Sequence, residues 1–285
     1  MVLINKLKNY GNLVMFSHSI FSLPFGLLAM IFAYGAIPPI RTFVWILIAL
    51  LAARNGANAF NRIADKDIDK KNPRTQNRDI PAGRVSIKEA YFITIACFFI
   101  LALAAYHLNL LTLLLLPFAL AIFIFYSYSK RITWLCHFIL GVACGGAPVG
   151  AYIAITGSIS LLPILLGGAV CFWIAGFDII YATQDIEFDT KEKIHSVPSK
   201  FGFHGALLIA RISHTISFFM LMYVPVLVDL SFIYYIGLAL IAVLLITEHH
   251  NINPNNAKKM KLVSYSINQI ISIIFFTFTI GAFFL

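Results

Sequence analysis

Charge is scarce in this sequence. Asp, Glu, Lys and Arg together make up 12% of its 285 residues, whereas about a quarter is usual in soluble domains. Polar stretches long enough to form a soluble appendage are also missing. Cysteine is limited to Cys97, Cys136, Cys144 and Cys171. All four stand in apolar stretches without the spacing of metal ligands, so they read as free thiols and exclude a disulfide scaffold or a zinc site. What fills the sequence is oil: 60% of the residues are hydrophobic. Apolar runs of this length are membrane spans rather than an oversized core, and the chain has room for about nine spans of ~20 residues.

The net charge is +9, which on a soluble protein would suggest nucleic acid as a partner. Here most basic residues lie between apolar runs, where the positive-inside rule accounts for them, and nucleic acid is not expected. The run from Leu13 to Tyr34 follows Lys6 and Lys8. It is too long for a signal-peptide core and lacks a small-residue cleavage site, so it reads as the first span. Absence of a targeting segment fits a bacterial plasma membrane. Hydrophobic patterning predicts helices over about 12–34, 42–60, 88–106, 110–128, 133–154, 160–182, 205–228, 231–247 and 263–284. The expected fold is an all-α polytopic membrane bundle forming one domain over residues 1–285.

Lys and Arg alone orient this topology. With the N-terminus in the cytoplasm, the cytoplasmic connections hold Lys66, Lys70, Lys71, Arg74, Lys130, Arg131, Lys191, Lys193, Lys200, Lys258, Lys259 and Lys261. The opposite side receives Arg41 alone. Both long polar connections are then cytoplasmic.

The first of them is RNGANAFNRIADKDIDKKNPRTQNRDIPAGRVS, residues 54–86. Asn61, Asp65 and Asp69 recur at i, i+4 and i+8, within about 80° of one another on a helix. Arg54 lies on the same face, about 10 Å deeper along the axis. The second is GFDIIYATQDIEFDTKEKIHSVPSKFG, residues 176–202. Its Asp178, Asp185 and Asp189 fall within about 40° on a helix, and Tyr181 shares that face. A solvated helix end is the plain explanation for either cluster; two clusters of similar design argue against it. Asp67, Asp79, Glu187 and Glu192 lie off these faces and read as solvated. His137, His204 and His214 read as packing or hydrogen-bonding residues, His249-His250 as an incidental loop pair, and Arg211 as a residue reaching for the membrane interface.

Carboxylates repel a phosphate ester, so acidic clusters bind one only through divalent cations. Mg²⁺ takes oxygen ligands and commonly bridges a few carboxylates to substrate phosphates. Arg74, Arg78 and Lys130 suit the remaining phosphate oxygens. With a greasy bundle for the rest of the molecule, these parts describe ionisation of an allylic, lipid-like diphosphate.

N-x-x-x-D-x-x-x-D at 61–69, R-T-x-x-R-x-I-P-x-G-x-V-S at 74–86 and D-x-x-Y-A-x-x-D-x-x-x-D at 178–189 resemble the UbiA-type intramembrane prenyltransferases. HSIFSLPFG at 18–26, YSYSKRITWLCHFILG at 126–141 and HSVPSKFG at 195–202 are similar to the 4-hydroxybenzoate polyprenyltransferase branch. The resemblance covers nearly the whole chain. It implies nine helices around a central cavity, capped by the cytoplasmic motif loops, and Mg²⁺-dependent transfer of a polyprenyl chain from its diphosphate to an aromatic acid. Asn61, Asp65 and Asp69 match its first metal–diphosphate motif, Asp185 and Asp189 its second, and Asp178 a further acidic position. Arg74, Arg78, Tyr126 and Lys130 match diphosphate contacts, and Arg54 an arginine proposed to hold the acceptor carboxylate. Arg62 departs from the pattern, since many relatives carry an acid there; pointing about 100° away from Asn61, it is expected to matter little. The acceptor implied is 4-hydroxybenzoate for ubiquinone, with a dihydroxynaphthoate on a menaquinone route as the alternative. A CDP-alcohol phosphotransferase lacks support because no D-G acidic run is present, and a transporter because no internal repeat or paired broken helices are visible.

Overall fold

Apolar sequence in the absence of water forces the backbone to satisfy its own hydrogen bonds, and the chain does so with helices. The structure, a computed structural model, describes residues 2–15, 21–253, 255–256, 259–260 and 262–285, with the backbone alone at 2–5, 7 and 8. In order, α1 is Val2–Leu13, α2 Leu23–Tyr34, α3 Ile40–Ala64, α4 Lys66–Lys71, α5 Ile87–Leu108, α6 Leu110–Ser129, α7 Cys136–Thr156 and α8 Leu161–Ala182. After α8 come a 3₁₀ turn at Thr183–Asp185, α9 at Ile186–Lys191, α10 at Val197–Tyr223 and α11 at Ile233–His250. A π-helical turn at Leu262–Ile267 leads into α12, Asn268–Phe284. Among the described residues there is no strand. Eight helical segments among the described residues are long and apolar enough to cross a membrane, and α2 is a shorter apolar helix. The protein is an integral membrane protein.

The single helix expected over 12–34 is interrupted. α1 stops at Leu13, Met15 takes φ +49°, and α2 begins only at Leu23. Pro24, which cannot donate a backbone hydrogen bond, sits in the first turn of α2, where that loss costs nothing. Residues 16–20, including His18, Ser19 and Ile20 of the HSIFSLPFG motif, lie outside the described residues, as do Lys258 and Lys261. A second difference is the start of α10, eight residues before the expected helix at 205. Ser196 begins it with a capping box, accepting from Ser199 N at 3.2 Å while Ser199 Oγ accepts from Ser196 N at 2.9 Å. Gly202, at φ +67° and ψ −178°, then breaks the helical path, and only glycine takes that conformation readily. α5 opens the same way, on a capping box between Ser86 and Glu89.

The chain divides into two compact units. One comprises Met1–Ser19 and Pro39–Tyr128, the other Ile20–Pro38 and Ser129–Leu285. In the first, α3 packs along α5, and Leu13, Val14, Ala59, Ile63, Val85 and Ala90 form a small buried core. Tyr10 of α1 donates to Glu89 Oε1 at 2.9 Å, and that bond holds the Tyr10 phenol above its ordinary pKa. In the second, α8 is flanked by α7 and α10. Its core is aromatic: Phe25 stacks on Phe275 with centroids 4.6 Å apart, and Phe21, Trp173 and Phe177 close around them.

Between membrane helices, close packing replaces the hydrophobic effect, and small residues at the contact permit it. Gly141 and Gly145 of α7 face α8, where a methyl group would overlap the Cys171 and Gly167 carbonyls respectively. Gly146, next in sequence, has open space around its Cβ position. Gly145→Val is therefore expected to destabilise the protein by about 1–3 kcal/mol, the usual range for overpacking. Gly146→Val should shift the thermal midpoint in detergent far less, which a melting comparison of the two variants would check.

Candidate functional site

The first motif is built where α3 runs out of apolar sequence. Asp65 closes α3 and opens α4, at φ −91° and ψ 0°. The helical spacing survives this junction because Asp65 N donates to Asn61 O at 2.9 Å and Asp69 N to Asp65 O at 2.8 Å. Asp65 and Asp69 are each only 3% exposed. Burying an ionised carboxylate costs several kcal/mol unless it is paired, and Asp69 is paired: Arg78 Nη1 donates to its Oδ1 at 2.7 Å. Its other oxygen, Oδ2, is buried without a hydrogen-bond partner, 4.0 Å from Arg62 Nη1. The segment between α4 and α5 is tied down around this pair. Thr75 Oγ1 donates to the Asp69 carbonyl, and Asn72 accepts from the backbone of Arg74, Thr75 and Gln76. Arg54 is half-buried in α3 two turns before Asn61, Tyr126 is half-buried near the end of α6, and Arg74 is exposed.

Two readings change here. Asp79 is not solvated; it is 7% exposed, and Arg84 Nε donates to it at 2.7 Å. Its carbonyl also accepts from Arg84 N and Val85 N, so it organises the turn that leads into α5. Arg62 does not point away from the motif. Its guanidinium is buried beside Asp69 and also donates to Met15 Sδ. The spacing was informative: Arg62 and Asp69 stand at i and i+7, the relation already noted for Arg54 and Asn61. Asp67, by contrast, is exposed as expected.

The second motif spans a change of helix type. Asp178 lies in α8, Asp185 ends the 3₁₀ turn and Asp189 sits in α9, so the three do not share one continuous α-helix. Asp178 Oδ2 meets His137 Nδ1 at 2.7 Å, which places His137 in a polar role that no local spacing could reveal. Ser196 Oγ donates to Asp189 Oδ2 at 2.9 Å while capping α10. Asp185 and Lys130 both lie within Coulombic reach of Asp189, and His195 N ties the Lys130 carbonyl to this segment at 2.8 Å. Tyr181 packs edge-on against Tyr265, with centroids 4.9 Å apart. The bridge from α9 to α10 turns at Lys193, φ +56°. His249 and His250 are the last residues of α11 rather than a loop pair, and His249 meets His214.

Among the described residues no three His, Cys, Asp or Glu side chains converge into a ready-made metal cage. The donors present are carboxylate oxygens in small groups, with a buried oxygen of Asp69 lacking a hydrogen bond. That set fits a hard divalent cation shared with phosphate oxygens, as Mg²⁺ is usually held, and not a soft or fully caged ion.

The sequence model of the UbiA prenyltransferase family matches residues 22–279. The chain belongs to this family. A 4-hydroxybenzoate octaprenyltransferase of Shewanella sp. (strain ANA-3) is 32% identical over 187 residues, covering 64% of each chain, so the match spans less than two thirds of that relative. One from Xanthomonas campestris pv. campestris (strain B100) is 31% identical over 223 residues, 78% of this chain and 73% of the relative. The apo structure of a UbiA homolog from Aeropyrum pernix K1 superposes with a TM-score of 0.84 at 32% identity, covering 93% of this chain and 98% of the other. A UbiA homolog from Archaeoglobus fulgidus, solved with GPP and Mg²⁺, shares the fold at a TM-score of 0.67 and 20% identity, over 97% of this chain and 100% of that one.

Ser196 serves α10 and Asp189 at once. Ser196→Ala is expected to cost about 1 kcal/mol of stability through the lost cap, whereas Ser196→Thr should keep most of it; thermal unfolding of both variants measures the difference.

Proposed function

We propose that the protein transfers a polyprenyl chain from polyprenyl diphosphate to a ring carbon of 4-hydroxybenzoate, in quinone biosynthesis at a bacterial inner membrane, with the motif segments and N-terminus cytoplasmic. The observation that carries the reading is the pair of buried carboxylates Asp65 and Asp69, the latter with a buried Oδ2 that lacks a hydrogen bond and with Arg62 and Arg78 beside it. Acids and bases buried together at the end of a hydrophobic helix suit a metal-complexed phosphate better than any neutral ligand. The named relatives and the family model support the acceptor and donor classes.

Asn61, Asp65 and Asp69 from the first motif and Asp185 and Asp189 from the second are the residues that would hold Mg²⁺ with the diphosphate. The ion, when bound, neutralises charge on the leaving group. Arg74, Arg78, Tyr126 and Lys130 meet phosphate oxygens, and Arg78 can do so by sharing the guanidinium now on Asp69. Asp178 and Tyr181 line the second motif. Arg54 holds the acceptor carboxylate, and so turns the electron-rich ring carbon toward C1 of the prenyl chain. The C1–O bond breaks with its electron pair on the diphosphate, the ring carbon bonds to C1, and the ring proton leaves to a diphosphate oxygen or a carboxylate.

With a labelled prenyl diphosphate and 4-hydroxybenzoate, Asp65→Ala and Asp185→Ala are each expected to lower Mg²⁺-dependent prenylation about 10²–10³-fold, the scale of losing one stabilising group at a developing charge. Full activity in either variant would sink the scheme. If both motifs serve one diphosphate, Asp69→Ala and Asp189→Ala should be far from additive in a double-mutant cycle. Offering a dihydroxynaphthoate in parallel decides the acceptor. Arg62→Gln removes a cation beside Asp69, so Mn²⁺ used as a spin probe should bind about tenfold more tightly in the presence of prenyl diphosphate. Unchanged Mn²⁺ affinity would separate Arg62 from the metal.

A further inference from the structure

Arg211 is a cation in the wrong place. It stands within the membrane-spanning segment Val197–Val226, and among the described residues it has no hydrogen-bond or ion-pair partner. Its neighbours along the exposed stripe of α10 are Leu208, Ile212, Ile216 and Phe219, all apolar and 36–60% exposed. Such a stripe faces acyl chains. Arg211 and Thr215, one helical turn apart, are its polar interruption. Arg211 is level with His249 and His250, the last residues of α11, so its long side chain can reach the headgroup layer, where an anionic group would answer it.

The side chain opens onto a cavity of about 550 Å³ between α10 and α11. Its polar end is made by Arg211, Thr215, His249 and His250, and its floor by His214. His214 Nδ1 meets His249 Nε2 at 3.0 Å, and His214 Nε2 meets the Trp173 carbonyl at 3.2 Å, so the floor is fixed. Behind it Glu248 is fully buried, its Oε1 accepting from Asn268 Nδ2 at 2.9 Å, and it does not line the cavity. Phe218 and Leu245 supply an apolar wall. The cavity thus presents donors and the single Arg211 cation with no carboxylate among its lining residues, Glu248 Oε2 lying behind it 3.8 Å from His214 Nδ1, beside a surface for a hydrocarbon chain. Three histidines and an arginine that carry no part of the proposed chemistry are collected in one place.

We infer that this cavity binds the headgroup of an anionic phospholipid, its phosphodiester on the Arg211 guanidinium and one acyl chain along Phe218 and Leu245. Arginine pairs with phosphate through two parallel donors, and the hydroxyl of Thr215 and the imidazole of His250, both exposed, add further donors, while His249 is spent on His214. A choline headgroup would find no anion to meet its ammonium. The proposal is independent of the prenyl-transfer reading.

Native mass spectrometry of the purified full chain tests it, with phosphatidylglycerol and phosphatidylcholine of matched acyl chains offered in equal amounts. The wild type should favour phosphatidylglycerol about tenfold, the worth of one well-formed charged pair, and gain thermal stability from it. Arg211→Gln should bring the ratio close to one, and Arg211→Lys should retain part of it. Both changes are at an exposed side chain; His250→Gln, at the end of α11, provides a second loss-of-preference variant. No preference in the wild type, or one unchanged in Arg211→Gln and His250→Gln, overturns the proposal. Stabilisation by inorganic phosphate equal to that by phosphatidylglycerol also overturns it, since the site would then be one for a small anion.

Discussion

The arrangement of the first motif depends on the Asp69–Arg78 ion pair. Asp69 is 3% exposed, and an ionised carboxylate in that position needs a cation within hydrogen-bond reach. Arg78 supplies it from nine residues further on, which folds the intervening segment back onto α4. The bonds from Thr75 to the Asp69 carbonyl and from Arg84 to Asp79 follow from that return path. A segment that composition alone would make a solvated loop is thus held by two charged pairs and then handed to α5 through the Ser86–Glu89 capping box. Arg62 adds a further cation, its Nη1 4.0 Å from Asp69 Oδ2, an oxygen that is buried without a hydrogen bond.

The second motif solves the same problem with neutral and weakly charged partners. Asp178 is met by His137, and Asp189 by the hydroxyl of Ser196, which spends its other capacity on capping α10. Asp189 is half-buried and has Lys130 within Coulombic reach besides the hydroxyl, whereas Asp69 is buried and meets a guanidinium directly. The two motifs are alike in sequence and unlike in how their charge is met.

Helix identity was legible in the sequence nearly throughout, because a long apolar run in lipid has only one way to satisfy its backbone. Where the reading slipped, local stereochemistry had intervened: Pro24 and Met15 break the expected first helix, and the Ser196 capping box and Gly202 alter the start of α10. The acidic motifs are visible from spacing, yet the burial of Asp79 is not, because it is set by the turn around it and not by its helical angle. His249 and His250 stand next to a loop in sequence, and α10 brings His214 against one of them from 35 residues away.

By itself the sequence determined the class of structure, the approximate spans and the residue types of both motifs, since composition and period act over short distances along the chain. The tertiary structure decided the partners, Arg78 for Asp69, His137 for Asp178 and Ser196 for Asp189, and it set Arg211 beside the histidines of α11 around one cavity. Those pairings follow from which helices pack together, and a side chain's charge balance is set by neighbours in space whose separation along the chain is arbitrary.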